Sequence, residues 1–321
     1  MAQTREAAIV GIHEYPLRVA PGVSALQIKA ASASKALEDA GLSWQDVDAV
    51  YDTGSHQNIG GLGISEYLGL NPSLIDNTSV GGTSYEFQAH HAATMIASGK
   101  ANVALLTYGS TSHSDRRAIG TAGATGQGAP TPFNNMEDPW GMTLISGYGM
   151  VKARHMHQYG TTNEQFAEIS VATRYHAMRN PEAVKAMTDL EFVGVNEITT
   201  QDVLDSRMIA WPLHLLECCM VSDGGGAVVI ASKEVARNCK KPPVWIIGGA
   251  EATKYRENGG DITVSAGGQS GPRAFEDAGV SPSEMDVLMA VSYTHLRAHE
   301  TPEHRVCRLR GAKKKGGGGG G

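Results

Sequence analysis

At 321 residues, 41% of them apolar and 19% charged, the chain is long enough to bury one large core or two ordinary ones and has the composition of a globular protein. Four cysteines in that length make no disulfide framework, and no apolar stretch reaches the length of a membrane span, which sets aside a disulfide scaffold and an integral membrane protein. The net charge of -6 is uneven, with +5 on residues 291–321 and therefore -11 on residues 1–290, so an acidic body carries a basic tail.

The opening MAQTREAAIVGI has an apolar run broken at once by His13, Glu14 and Pro16, which is no signal peptide, and a cytoplasmic protein is expected. AAIVGI reads as a strand, and SKALEDAG as a helix ending at Gly41, where a left-handed cap is cheapest. The glycine run GGLGISEYLG approximates a dinucleotide fingerprint, but Glu66 stands where the last glycine belongs and no suitable strand-turn-helix unit surrounds it. IDNTSV, Ile75 to Val80, reads as a strand leading into a helix TSYEFQAHHAATMIASG, followed by a buried strand NVALLTYGS. On that helix one of His90 and His91 is expected to face the core and the other the surface, both as structural residues.

Thr111 to Trp140 is rich in Gly, Ser, Thr and Pro and reads as irregular. After it, Met150 to Ala183 has helical spacing, with a break at Tyr159-Gly160 and a capping signal in Thr162 and Gln165. His155 and His157, two apart, cannot share a helical face, which argues against a metal pair. Ser110 to about Met208 is therefore expected to be an insertion, and loops this long usually bind something.

An internal repeat organises the rest. SKALEDAGLSWQDVDAVY, Ser34 to Tyr51, aligns without gaps to PRAFEDAGVSPSEMDVLM, Pro272 to Met289, with seven identities in eighteen positions. Upstream, VWIIGG, Val244 to Gly249, echoes AAIVGI at nearly the same offset, so two related α/β halves are expected.

TSVGGTS, Thr78 to Ser84, and PLHLLECCMVSDGGGAVVIAS, Pro212 to Ser232, together with the two-half layout, resemble the thiolase superfamily. The resemblance covers residues 5–290. Within the superfamily it is similar to the branch of sterol-carrier-protein thiolases, thiolase-like lipid-transfer proteins and thiolase-like steroid side-chain aldolases. It implies a five-layer α-β-α-β-α fold. The first half would comprise residues 1–110 and 209–240, the inserted loop domain 111–208, and the start of a second half 241–290. It also implies a homodimer, no bound cofactor, coenzyme A as part of an acyl-CoA substrate, and chemistry at the carbon-carbon bond next to the thioester. No nucleic-acid partner is expected.

In such thiolases a cysteine before a buried helix attacks the thioester, with the thiolate favoured by the helix N-terminus. The matching position here is Ser79. Three readings stand open for it: a nucleophile activated by a histidine from the remainder of the second half, a hydrogen-bond donor to the thioester carbonyl, or a cap for the following helix. Gly81 and Gly82 would let backbone approach a substrate or a partner strand, with the Gly82 amide near the thioester oxygen, or would form no more than a tight turn. Cys219 lies where the family places a residue near the pantetheine, while a small apolar role is the default for both Cys218 and Cys219. Asp223 is expected to fix its turn through local hydrogen bonds.

The resemblance requires a Gly-His-Pro turn and a cysteine after Leu288. VSYTHLRAHETPEHRVCRLR and the closing GAKKKGGGGGG instead resemble a translated library adapter and homopolymer codons, so residues 291–321 are expected to be a non-native tail. The zinc-like set His295, His299, His304 and Cys307 would then be accidental, and no metal is expected. A serine in place of the cysteine tilts the reading toward retro-aldol cleavage of a β-hydroxyacyl-CoA, which needs no acyl-enzyme; such aldolases work with an OB-fold partner. The alternatives are an acetyl-CoA acyltransferase and a non-catalytic lipid-binding or scaffold subunit, and the chain as it stands is expected to be inactive.

Overall fold

The computed structural model describes residues 5–54, 60–116, 143–254 and 261–287. The expected tail and its four metal-like side chains lie outside these residues. The chain divides into two compact units. The first takes Met1–Asp115, Ser222–Glu251 and Gln269–Ser281, and the second takes Arg116–Val221, Ala252–Gly268 and Pro282–Gly321.

The first unit is built on a six-stranded mixed sheet. Its strands are β1 (Ala7–Glu14), β2 (Ala49–Asp52), β3 (Leu74–Asp76), β4 (Val103–Ser110), β7 (Gly224–Ser232) and β8 (Val244–Trp245), in the order β3-β2-β4-β7-β1-β8. β2 runs parallel to β3 and β4, whereas β7 is antiparallel to both β4 and β1. Side chains alternate across the sheet and both faces are covered, which is why these strands read as nearly unbroken apolar runs. Val10, Val50, Leu105 and Val229 pack on one face with α1 (Ala25–Ala40). Ala7, Tyr51, Leu106 and Ile230 pack on the other with α3 (Ser84–Ala97). Between them in sequence, α2 (Gly60–Leu68) adds Ile64 to the α1 face.

Local chemistry fixes the ends of α1. Ser24 and Gln27 form a reciprocal capping box at its start. At its end Gly41 takes φ 78°, and its N–H and that of Leu42 donate back to Glu38 and Leu37. Alanines at positions 33, 36 and 40 let the helix lie against the strand, and a Cβ on Gly11 would stand 2.1 Å from the Ala36 carbonyl oxygen.

The second copy of the repeat reproduces these details. α8 (Gly267–Ala278) ends at Gly279 with φ 68°, and the N–H groups of Gly279 and Val280 donate back to Glu276 and Phe275. Asp39 accepts from the Ile12 N–H at 3.2 Å, and its counterpart Asp277 accepts from the Gly249 N–H at 3.0 Å. Gly11 faces Ala40 and Gly248 faces Ala278, each too close for a Cβ. The repeat is thus the same close contact of backbone on helix made twice, by β1 on α1 and by the segment just after β8 on α8; the chain beyond Val287 lies outside the described residues.

The strand expected over Ile75 to Val80 is shorter than its pattern. β3 ends at Asp76 because that carboxylate accepts both the N–H and the hydroxyl of Thr78, each at 2.7 Å, and turns the chain.

The second unit contains α4 (Leu144–Tyr159), α5 (Asn163–Ala177), α6 (Pro181–Asp189), α7 (Thr200–Asp205) and a small hairpin of β5 (Met208–Ala210) with β6 (Leu213–His214). Gly160 closes α4 in the left-handed conformation, and Thr162 with Gln165 opens α5, as the sequence predicts. On α4, Lys152 is buried, donating to the Pro212 carbonyl at 3.0 Å and pairing with Glu217. His155 is buried against Phe166 and Tyr159 while His157 is exposed, so the two do not share a face. No helix among the described residues is long and apolar enough to cross a membrane.

Candidate functional site

The turn between β3 and α3 carries Ser79, Gly81 and Gly82, all exposed. It is fastened on each side of them. Asn77 Oδ1 accepts from the Gly61 N–H at 2.6 Å, and the Thr78 carbonyl accepts from Gln88 Nε2 at 3.1 Å. On the far side Ser84, fully buried, accepts the Val80 N–H at 2.8 Å and donates its hydroxyl to the Gly81 carbonyl at 2.6 Å. Within this frame the Ser79 hydroxyl and the Gly82 N–H bond to nothing among the described residues. The turn therefore leaves a hydroxyl and a main-chain donor exposed within four residues, groups of the kind that stabilise a developing oxyanion.

These contacts bear on one of the readings of Ser79, the helix cap. The cap of α3 is Thr83, which makes no side-chain cap bond, and Ser84 does the bonding inside the turn. Ser79 stands too far upstream to cap the helix, so the capping reading is withdrawn. The glycine run before it is a packing device: a Cβ on Gly61 would stand 2.5 Å from Ile75 Cγ2, and Gly61 supplies the N–H that holds Asn77.

The two glycines of the turn differ. Gly81 has φ 87°, where an L side chain is strained, whereas a Cβ at either position would meet nothing within 4 Å. Among the described residues nothing lies that close to either position: Gly81 is required by its dihedral and Gly82 leaves open space. Gly81→Ala is expected to cost about 1–2 kcal/mol from the left-handed penalty. Gly82→Ala should stay within about 0.5 kcal/mol, as surface changes do. Urea unfolding of the two variants checks the contrast.

Both histidines of α3 face acids, in place of one core and one surface residue. His91 lies with Nδ1 2.6 Å from Asp76 and Nε2 3.0 Å from Glu251, and His90 Nδ1 lies 3.0 Å from the same Glu251 oxygen. Burial opposes charge on His91, but the two carboxylates outweigh it and raise its pKa above the ordinary 6.5. Asp76 is correspondingly lowered: burial works against ionisation, while bonds from Thr78 and His91 overcome it. Among the described residues no set of three or more His, Cys, Asp and Glu side chains is arranged to hold a metal ion.

Nearby in the same unit, the carboxyl ends of β2 and β4 hold a polar network that the sequence did not reveal. Lys29 Nζ donates to Asp52 at 2.8 Å, with both side chains buried, and Asp52 also accepts from the Thr107 hydroxyl at 2.6 Å and the Gly54 N–H at 2.7 Å. The adjoining Thr53 hydroxyl is 3.0 Å from the Tyr85 hydroxyl of α3. Burial foremost raises the Tyr85 pKa and keeps the phenol protonated. The open ends of parallel strands are where α/β sheets place ligands.

Asp223 is another correction. Its bonds are not local: one carboxylate oxygen accepts the His113 and Ser114 N–H groups at 2.9 and 3.0 Å, and the other accepts the Ser114 hydroxyl and the Ala20 N–H. It ties the start of β7 to the ends of β4 and of the loop after β1. In the second unit, Cys219 is exposed, and Cys218 donates its thiol to the His214 carbonyl at 3.5 Å. Burial foremost, then the neighbouring Cys219 and Glu217, raises the Cys218 thiol against the opposing Lys152, which disfavours a thiolate there.

No family model matches the chain. Among curated proteins it is 32% identical to a steroid side-chain-cleaving aldolase of Thermomonospora curvata, over 92% of this chain and 76% of that one. It is 31% identical to a 17-hydroxy-3-oxo-4-pregnene-20-carboxyl-CoA lyase of Mycobacterium tuberculosis, over 90% of this chain and 75% of the lyase. Among solved structures, an Ltp2-ChsH2(DUF35) aldolase superposes with a TM-score of 0.76 at 27% identity, covering 96% of this chain and 81% of that one. With the α/β unit, its duplicated strand-helix packing and these likenesses in hand, the chain belongs to the thiolase superfamily, in the branch of the thiolase-like steroid side-chain aldolases and sterol-carrier-protein thiolases.

Proposed function

We propose that the protein cleaves a carbon-carbon bond next to a coenzyme A thioester by a retro-aldol reaction on a β-hydroxyacyl-CoA with a lipid or steroid side chain. The observation that carries this is the turn after β3, which offers a hydroxyl and a main-chain N–H where the resemblance puts a nucleophilic thiol. In the reaction a base takes the proton of the β-hydroxyl, the β-carbon becomes a carbonyl, and the Cα–Cβ bond breaks. Its electron pair passes into the thioester as an enolate, which is then protonated at Cα to leave the shortened acyl-CoA. Only the enolate oxygen needs stabilising by the turn, and hydrogen-bond donors do that without a covalent intermediate.

The names of the aldolase and lyase relatives support this direction, and the two-component name of the Ltp2-ChsH2(DUF35) aldolase supports a protein partner, which this reading takes to be an OB-fold protein acting with a homodimer of this chain. Gly81 and Gly82 border the thioester in this reading.

Ser79→Ala is expected to lower turnover of a β-hydroxyacyl-CoA by no more than about 10³-fold, the cost of one oxyanion donor. Removing a covalent nucleophile costs about 10⁴ to 10⁶-fold. Intact-mass spectrometry after mixing with acyl-CoA should show no acyl adduct. An acyl group trapped on Ser79 would overturn the aldolase reading in favour of an acyltransferase, and no turnover by the protein with its partner would leave the non-catalytic subunit.

A further inference from the structure

The acid-histidine cluster behind the turn has a geometry that simple packing does not demand. An imidazole carries one N–H when neutral and two when charged. His91 has a carboxylate at each nitrogen, Asp76 at 2.6 Å and Glu251 at 3.0 Å, so a neutral ring would set one lone pair against an anionic oxygen. The charged ring satisfies both. The titratable groups facing it are Asp76 from β3, Glu251 from the segment after β8 and, through Glu251, His90 of its own helix.

Asp76 divides its two oxygens between different tasks. Oδ2 meets His91, while Oδ1 accepts the Thr78 N–H and hydroxyl at 2.7 Å and so bends the chain into the turn that bears Ser79. Glu251 sits two residues beyond Gly249, the residue held by Asp277 in the second repeat copy. His91 therefore joins the first residue of the turn to the second repeat.

We propose that His91, held as an imidazolium between Asp76 and Glu251, is a positioning residue that fixes Asp76 and through it the Thr78–Gly82 turn, making the shape of that turn depend on pH. The importance of the turn to catalysis rests on the function proposed above; the titration itself does not. At low pH the ion pairs are formed and the turn is fixed. As pH rises through the folded-state value, which lies above that of a free imidazole, the proton leaves, one contact becomes repulsive and the turn loosens.

The test is nitrogen-15 NMR of the full chain, with the His91 ring assigned by comparison with His91→Gln. At neutral pH both His91 nitrogens are expected to be protonated. The amide signals of Thr78 and Gly81 should move with the same midpoint as the ring. Glu251→Gln, which keeps the Asp76 contact, should lower that midpoint and carry the amide midpoints down with it. A neutral His91 tautomer at pH 7, or ring titration that leaves the Thr78 and Gly81 amides unmoved, would overturn the proposal. None of these readouts uses turnover. A failed aldolase assay with a titrating turn therefore sinks only the proposed reaction, and an active enzyme with a still turn sinks only the latch.

Discussion

Asp223→Ala is expected to lose about 3–4 kcal/mol of stability, because the change leaves one buried and three half-buried donors without an acceptor. Asp223 is 1% exposed, and its two oxygens serve the N–H groups of His113, Ser114 and Ala20 and the hydroxyl of Ser114. Each orphaned buried donor costs about 1–3 kcal/mol, partly relieved where water can enter. Asp223→Asn should lose less, since the amide oxygen still accepts on one side while its NH₂ opposes a donor on the other. Burial favours the neutral acid, yet the bonds from Ser114, Ala20 and His113 hold the pKa below the ordinary 3.8. A lowered folded-state pKa gives stability that is fully present above the unfolded value and lost as pH falls through the folded one. Urea midpoints of wild type and Asp223→Ala should thus differ most above pH ~4 and converge in stronger acid. Equal midpoints at pH 7 would show that Asp223 does not hold these segments together.

The same residue marks where sequence reasoning reaches its end. Turn chemistry predicts a local role for Asp223, because short-range bonds are the ones that spacing encodes. Its partners lie 109 to 203 residues away. That divide runs through the molecule. The helix stops at Gly41 and Gly279, the break at Gly160 and the Thr162 cap were legible because each is written within four or five neighbouring residues. The sheet strands were legible because two-sided burial leaves an unbroken apolar run. The repeat was legible as matched letters, and the matched Asp39 and Asp277 bonds give those letters a physical cause.

The candidate site was legible only in part. TSVGGTS pointed to the turn, but which serine holds it depends on bond geometry, and Ser84 rather than Ser79 does so. The pairing of His91 with Glu251 spans 160 residues and leaves no periodic trace. Apolar periodicity reports which face of an element is buried. It does not report which polar side chains meet once the elements pack.

Lys29 and Asp52 give the second large effect. The pair is 1% and 0% exposed with its charges 2.8 Å apart, so truncating either partner strands a charge in the interior. Lys29→Met is expected to cost about 3–5 kcal/mol, as breaking a buried pair does. Asp52→Ala should cost at least as much, since it also strips the acceptor from the Thr107 hydroxyl and the Gly54 N–H. Losses from the two single changes should not add. In the double variant Lys29→Met/Asp52→Asn no charge remains unpaired, so it should be more stable than the sum of the single losses predicts, by about 1–3 kcal/mol. Urea unfolding of the wild type, Lys29→Met, Asp52→Asn and the double variant completes the cycle, and additive losses would refute the pairing. The pair also bears on the site. Asp52 holds the Gly54 N–H and so shapes the end of β2, where Thr53 meets the Tyr85 hydroxyl one residue into α3. α3 begins directly after the Ser79–Gly82 turn. Breaking the ion pair should therefore loosen the turn as well as the core, and hydrogen exchange at the Thr78 and Val80 amides, which donate to Asp76 and Ser84, should rise in Lys29→Met by more than in Gly82→Ala, whose side chain meets open space.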